Sequence, residues 1–247
     1  MSLEDKFVIE DGVLKWDPVY LDFLDADISI VIPEGVTSLE DSVFQNMSIS
    51  AVTFPSSLTS IGEYAFSGCR NLNSVDMPFI TTIGRRAFFD CGLASVHMPK
   101  VQTIGPYAFG KCVMTEITFP RSLKSIGKFA FVASRLISVV LPPSVKVVEK
   151  ATFADCKFLT TIDLGRVTTI ETFAFAKCQH LYTVNLPITL TTLQDKAFFG
   201  CTSLESVYNY SAVDIGSAFE GCTGLNHIMS ASADVITDQQ IPEGLRF

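Results

Sequence analysis

The chain has 247 residues, 48% of them apolar, enough to bury a large core. Eighteen basic and 26 acidic residues leave a formal net charge of −8, which argues against a dedicated nucleic-acid binder. The sequence contains no apolar run of about 18 residues or more, so it offers no membrane-spanning helix.

The charge is unevenly spread. Residues 1–41 hold eleven acids and two bases, net −9, and residues 85–150 hold ten bases and three acids, net +7. Such polarity reads first as a solvated surface and second as a docking face for an anionic partner. The opening "MSLEDKFVIEDG" lacks the basic-then-apolar order of a secretory signal. Within it begins "FVIEDGVLKW" (residues 7–16), two apolar runs joined across Asp11-Gly12, which predicts a tight hairpin. Residues 1–27 are therefore expected to form an N-terminal cap.

From residue 28 a single theme repeats. Anchored on Phe44, Phe66, Phe88, Phe109, Phe131, Phe153, Phe175, Phe198 and Phe219, its steps are 22, 22, 21, 22, 22, 22, 23 and 21 residues. A fixed period in this range is the signature of a solenoid. Each unit opens with alternating apolar residues, as in "LNSVDMP" (72–78), which predicts a short strand with one buried face. Proline then ends the strand at Pro33, Pro55, Pro78, Pro99, Pro120, Pro142 and Pro187. A second apolar pair follows, such as Val101 and Ile104. Gly62, Gly84, Gly105 and Gly127, or Glu149 and Glu171, come next, and Ala-Phe-x-x-Cys reads as a short helical turn. Because Glu replaces Gly, a left-handed backbone is not expected to be obligatory there, and Glu would suit a helix N-terminus. The expected fold is thus a repeat solenoid with short parallel β-strands on one face and short helical turns and loops on the other. Residues 28–228 give about ten units, and 229–247, which have lost the Phe and Cys registers, are expected to be a C-terminal cap or tail.

These residues resemble the BspA-like, treponemal-type class of leucine-rich repeats, whose unit reads roughly Leu-x-x-Val-x-Leu-Pro-x-x-Leu-x-x-Ile-Gly-x-x-Ala-Phe-x-x-Cys. Two units depart from it: Ser134 stands for Cys after Phe131, and one residue is missing before Phe219. The resemblance implies a curved solenoid that binds proteins, at the cell surface or secreted, in adhesion to host matrix or partner proteins. An intracellular scaffold for protein assembly is the alternative, and would place the chain in the cytoplasm.

All seven cysteines lie three residues after an anchoring Phe, one per unit, so they are expected to be buried, reduced packing residues. On the exposed strand face two columns follow from the register. Ala51, Ser74, Ser95, Glu116, Ser138, Thr161, Thr183 and Ser206 form one. Thr53, Asp76, His97, Thr118, Val140, Asp163, Asn185 and Tyr208 form the other, which is chemically more varied. From it Asp76, His97, Thr118, Asp163, Asn185 and Tyr208 are the candidate partner-binding residues, with His97 and Tyr208 as anchors. Asp76, His97 and Thr118 on neighbouring strands imitate an acid–base–nucleophile series, but an open sheet face offers neither pocket nor oxyanion donors. No catalytic, metal-binding or cofactor-binding residue is expected, and no enzyme. Before Ala-Phe on the turn, Tyr64, Arg86, Tyr107, Phe129, Lys150, Phe173 and Lys196 mix aromatic and basic chemistry, which suits packing against neighbouring turns or a lateral contact. Asn46 and Asn209 each head an Asn-x-Ser sequon.

Overall fold

Most coils among the described residues carry two short strands rather than one, because the apolar pair after the proline forms its own ladder. The computed structural model describes residues 7–16 and 28–230. The front strands run Ile28–Val31, Ile49–Thr53, Ser74–Asp76, Ser95–His97, Ser138–Val140, Thr161–Asp163, Thr183–Leu186, Ser206–Asn209 and His227–Ser230. The back strands are two residues each: Ser38–Leu39, Ser60–Ile61, Thr82–Ile83, Thr103–Ile104 and Ser125–Ile126, then Val147–Val148, Thr169–Ile170 and Thr192–Leu193. Pairing between coils is parallel throughout. Both ladders have gaps. Residues 115–119 form no strand, so the front ladder is open between Ser95–His97 and Ser138–Val140, and it is also unpaired between Ile49–Thr53 and Ser74–Asp76 and between Thr161–Asp163 and Thr183–Leu186. The back ladder breaks between Ser125–Ile126 and Val147–Val148.

Phe7–Glu10 and Val13–Trp16 pair antiparallel, with Asp11 and Gly12 both at positive φ, 50° and 76°, as the tightest hairpin turn requires. Val13–Trp16 in turn pairs parallel with Ser38–Leu39, so the hairpin starts the back ladder. The expected caps at 1–27 and 229–247 lie mostly outside the described residues.

The expected helical turns are absent: among the described residues there is no helix. The backbone shows why. Tyr64, Phe66 and Gly68 send their N–H groups sideways to Arg85, Ala87 and Phe89 of the next coil, each at 2.8 Å. The alternate residues, Ser67 and Cys69, bond three positions back, to Tyr64 and Phe66 at 2.9 and 3.1 Å. A helix would use every N–H internally, four positions back. Here alternate residues close β-turns and the others stitch coil to coil. The turns need left-handed residues two before and two after the anchoring Phe, as at Arg86 (φ 53°) and Asp90 (φ 58°), or Tyr107 (φ 60°) and Lys111 (φ 62°). Successive turns give the same Phe-x-x-Cys spacing that a helix would, so spacing alone did not separate them.

The Gly/Glu position also differs from a helix start. Gly62, Gly84, Gly105 and Gly127 have ordinary φ, as expected, and stack backbone on backbone. A Cβ on Gly84 would come within 2.8 Å of the Gly62 carbonyl carbon. Where Glu or Gln replaces Gly, the side chain caps the preceding coil instead. Glu149 accepts the Lys128 N–H at 2.9 Å, Glu171 that of Lys150 at 2.8 Å, and Gln194 that of Thr172 at 2.9 Å.

Between the ladders lies one continuous core. The anchoring phenylalanines stack from Phe66 to Phe219 with ring centroids 5.0–5.5 Å apart and planes within 11°. Each such pair adds about 0.5–1.5 kcal/mol beyond its buried area. Alongside runs the cysteine column. Cys69 donates its S–H to the Phe44 carbonyl at 3.2 Å and Cys91 to that of Phe66 at 2.9 Å, and the pattern continues to Cys222 and Phe198. All seven are free thiols, six of them buried. Burial pushes the Cys69, Cys112 and Cys156 thiols up to about 12. Ser134 fills the Cys register, with its hydroxyl 3.2 Å from the Sγ of Cys156 on the next coil.

Candidate functional site

The front ladder turns one set of side chains into the core and the other outward. Its register pairs Ser74 with Ser95 and Asp76 with His97, Val140 with Asp163, and Asn185 with Tyr208. These pairs give the expected outward columns in segments, without Glu116 and Thr118, which lie on no strand. They also extend the varied column by one coil at each end: Val31 pairs with Thr53, and Met229 with Tyr208. Both additions were countable from the repeat but lie in units whose strand consensus is degraded.

The six candidate residues are not equivalent. Asp76 and His97 are exposed and joined through Oδ1 and Nδ1 at 2.7 Å. Thr118 is exposed but lies in the strand-free stretch 115–119, and so is not on a neighbouring strand as expected. Asp163 is half-buried, and its carboxylate accepts the Gly165 N–H at 2.8 Å, which turns it toward its own loop. Asn185 and Tyr208 sit side by side on paired strands, both half-buried, and Tyr208 lies parallel to Tyr210 with centroids 6.3 Å apart.

Sequence reasoning missed a neighbouring cluster. At the edge where the chain enters the front strands, Phe158 stacks on His180 at 6.0 Å, and the Tyr182 hydroxyl donates to Glu205 on the next coil. Phe158 and Tyr182 are 52% and 53% exposed, and Val140 and Met229 on the outward column each 61%. The signal was available: these apolar residues stand at positions that are polar in the earlier units, Asn71 and Asn73 against Phe158 and Tyr182. The C-terminal half of the front face is therefore the more apolar half.

No chemistry accompanies it. Asp76 and His97 are 71% and 69% exposed in their side chains, with Thr118 off the ladder, so the series has neither a shielded base nor a held nucleophile. Among the described residues no group of three or more His, Cys, Asp or Glu could hold a metal ion. No helix among them is long and apolar enough to cross a membrane.

On the turn side, the position two before the anchoring Phe holds Tyr64, Arg86, Tyr107, Phe129, Ala151, Phe173 and Lys196, so Ala151 and not Lys150 occupies it in the sixth unit. The mixture packs against itself. The Arg86 guanidinium lies 5.5, 5.1 and 4.9 Å from the ring centroids of Tyr64, Phe89 and Tyr107, and Tyr107 stacks on Phe129 at 4.6 Å. Of the two sequons, Asn46 is exposed, whereas Asn209 is 2% exposed and donates to the Val213 carbonyl at 2.8 Å.

The BspA type leucine rich repeat region, in six copies, matches residues 26–114 and 81–205. A leucine-rich repeat protein from Bacteroides ovatus is similar in structure, with a TM-score of 0.72 and 28% identity over 91% of this chain and 69% of that one. A leucine rich cell surface protein from Faecalibacterium prausnitzii is similar at a TM-score of 0.51 and 20% identity, over 92% of this chain and 93% of that one. No curated protein matches the chain.

Proposed function

The chain belongs to the BspA-type leucine-rich repeat family, and from that premise we propose that it is a surface or secreted adhesin module that binds proteins through its front face. The observation that carries this reading is the exposure of Val140, Phe158, Tyr182 and Met229 on one side of the stack. Large apolar groups left in water together mark interfaces, and Tyr is among the residues that anchor them. Tyr208 and Asn185 lie within this region. Asp76 and His97 form its polar N-terminal end, and Thr118 bridges the gap between the two halves. Asp163, committed to its own loop, contributes shape more than contact. The Faecalibacterium prausnitzii relative, a cell surface protein, supports the location. The fold supports a scaffold without catalysis.

The test is a binding panel of immobilised extracellular-matrix proteins and cytosolic extract, followed by the variant Tyr182→Ala/Tyr208→Ala. A matrix ligand whose affinity falls tenfold or more, about 1.4 kcal/mol, with an unchanged melt is the expected result. Retention of full affinity by this variant and by His97→Ala would remove the front face from the account. Capture by cytosolic proteins alone would favour the intracellular scaffold.

A further inference from the structure

The basic middle of the chain resolves into one patch on the side away from the front face. Lys124 and Lys146 precede the back strands Ser125–Ile126 and Val147–Val148, and Lys128 and Lys150 open the turns that follow them. All four are exposed, on two consecutive coils. Arg85 holds the same register as Lys128 and Lys150 two coils earlier, and Lys111 lies on the coil between. Adjacent coils are about 4.8 Å apart, so the charges from Arg85 to Lys150 span roughly 14 Å along the stack.

Arg85 and Lys111 lie 5.9 and 5.3 Å from the ring centroids of Tyr64 and Phe89, whereas Lys124, Lys128, Lys146 and Lys150 are exposed. Among the described residues none of Arg85, Lys111, Lys124, Lys128, Lys146 and Lys150 forms an ion pair. Glu149 and Glu171 accept the backbone N–H groups of Lys128 and Lys150 and keep their own charge, which offsets part of the patch, and Asp90 is held by Arg70 at 2.7 Å. Lys146 reaches only the Arg166 carbonyl, at 3.5 Å. The back ladder is unpaired between the two lysine-bearing strands. Lys124, Lys128, Lys146 and Lys150 outnumber Glu149 and Glu171, so the patch stays net positive on a chain that is net negative.

We infer that this patch is a second docking site, for an acidic polysaccharide such as a sulfated glycan. Its chemistry selects that class over nucleic acid. A net charge of −8 over the whole chain repels a wide, densely charged duplex, whereas a single thin polyanion meets only the basic stripe. The neighbouring aromatic rings of Tyr64, Tyr107 and Phe129 are spent on Arg86 and on each other, so they offer no free platform for bases. Lysine ammonium groups, mobile point charges, suit sulfates at irregular spacing. The site stands independently of the protein-binding face.

The experiment uses the full chain and a heparin-derived octasaccharide, titrated by calorimetry at rising salt, with duplex DNA of equal charge alongside. Binding at low salt that weakens steeply with added salt is expected. The quadruple change of Lys124, Lys128, Lys146 and Lys150 to Gln should cost tenfold or more, while the same four changed to Arg keep affinity. Tyr182→Ala/Tyr208→Ala should bind the octasaccharide normally, which separates this site from the front face. Thermal melts confirm folding, and Lys124→Gln/Lys146→Gln serves if the quadruple variant fails to fold. No binding at low salt, full affinity in the Gln variants, or DNA binding as tight as the glycan would each overturn the proposal. So would self-association at low salt that the Gln changes abolish.

Discussion

A phenylalanine recurs in coil after coil, and a thiol in most of them, because each packs against its neighbour in the adjoining coil. Phe109 sits between Phe88 and Phe131, 5.5 Å from each, with no exposed surface. Phe109→Ala should therefore cost about 3–5 kcal/mol in urea melts, as for other buried Phe truncations; a loss under about 1 kcal/mol would remove the ring ladder as a source of stability. The thiols make a separate prediction about pH. In the unfolded chain they ionise near 9, whereas burial holds Cys69, Cys112 and Cys156 protonated up to about 12. Between those values the folded state binds more protons than the unfolded one. Stability should thus be fully present below about pH 9 and fall as pH rises, by about 1.4 kcal/mol per unit for each such thiol. Denaturant melts from pH 8 to 11 that stay flat would contradict the buried ladder. That Phe and Cys are core residues was legible from their register. The carbonyl that receives each S–H was not, because it belongs to a residue about a coil away whose position depends on how coils stack.

At the scale of the element, turn and helix predict opposite responses to glycine. Lys177 is exposed, two residues after Phe175, with φ at 60°. In a helix Lys177→Gly would cost up to about 1 kcal/mol. In a left-handed turn position, which Gly68 and Gly200 already hold in other coils, it should be neutral or gain up to about 1 kcal/mol. Equilibrium melts distinguish the two signs. The caps between coils give a second comparison. Glu149→Ala strips the Lys128 N–H of its acceptor and should lose about 0.5–1.5 kcal/mol, while Glu149→Gln should retain most of it, since Gln194 fills the equivalent role for Thr172. An equal loss for Ala and Gln would mean that charge, not the cap, matters. The front strands were legible because alternation fixes which face is buried. The back strands were seen only as an apolar pair, since two residues carry no period. The turns were misread because Ala-Phe-x-x-Cys fits both a helix and paired turns, and only the hydrogen-bond direction decides.

Across the whole molecule the repeat separates stacking from recognition. Its consensus residues build the core and both ladders, and the positions outside the consensus are sorted by side: apolar and aromatic at the C-terminal half of the front face, basic on the back. Asp76, His97, Asn185 and Tyr208 could be placed on the front face by counting, whereas Thr118 could not, because nothing in "TEITFP" announces the interruption of the ladder at 115–119. Phe158 and Tyr182 escaped notice since they precede the strands, at positions no alternation pattern covers. The division into two faces makes the most direct test a footprint. Hydroxyl-radical labelling of the full chain, with and without a protein ligand found in the panel, reads the exposure of individual side chains. Phe158, Tyr182, Tyr208 and Met229 should be protected on binding while Phe129 and Phe199 on the turn side keep their reactivity. Protection of the turn side, with those four front residues labelled as before, would contradict it.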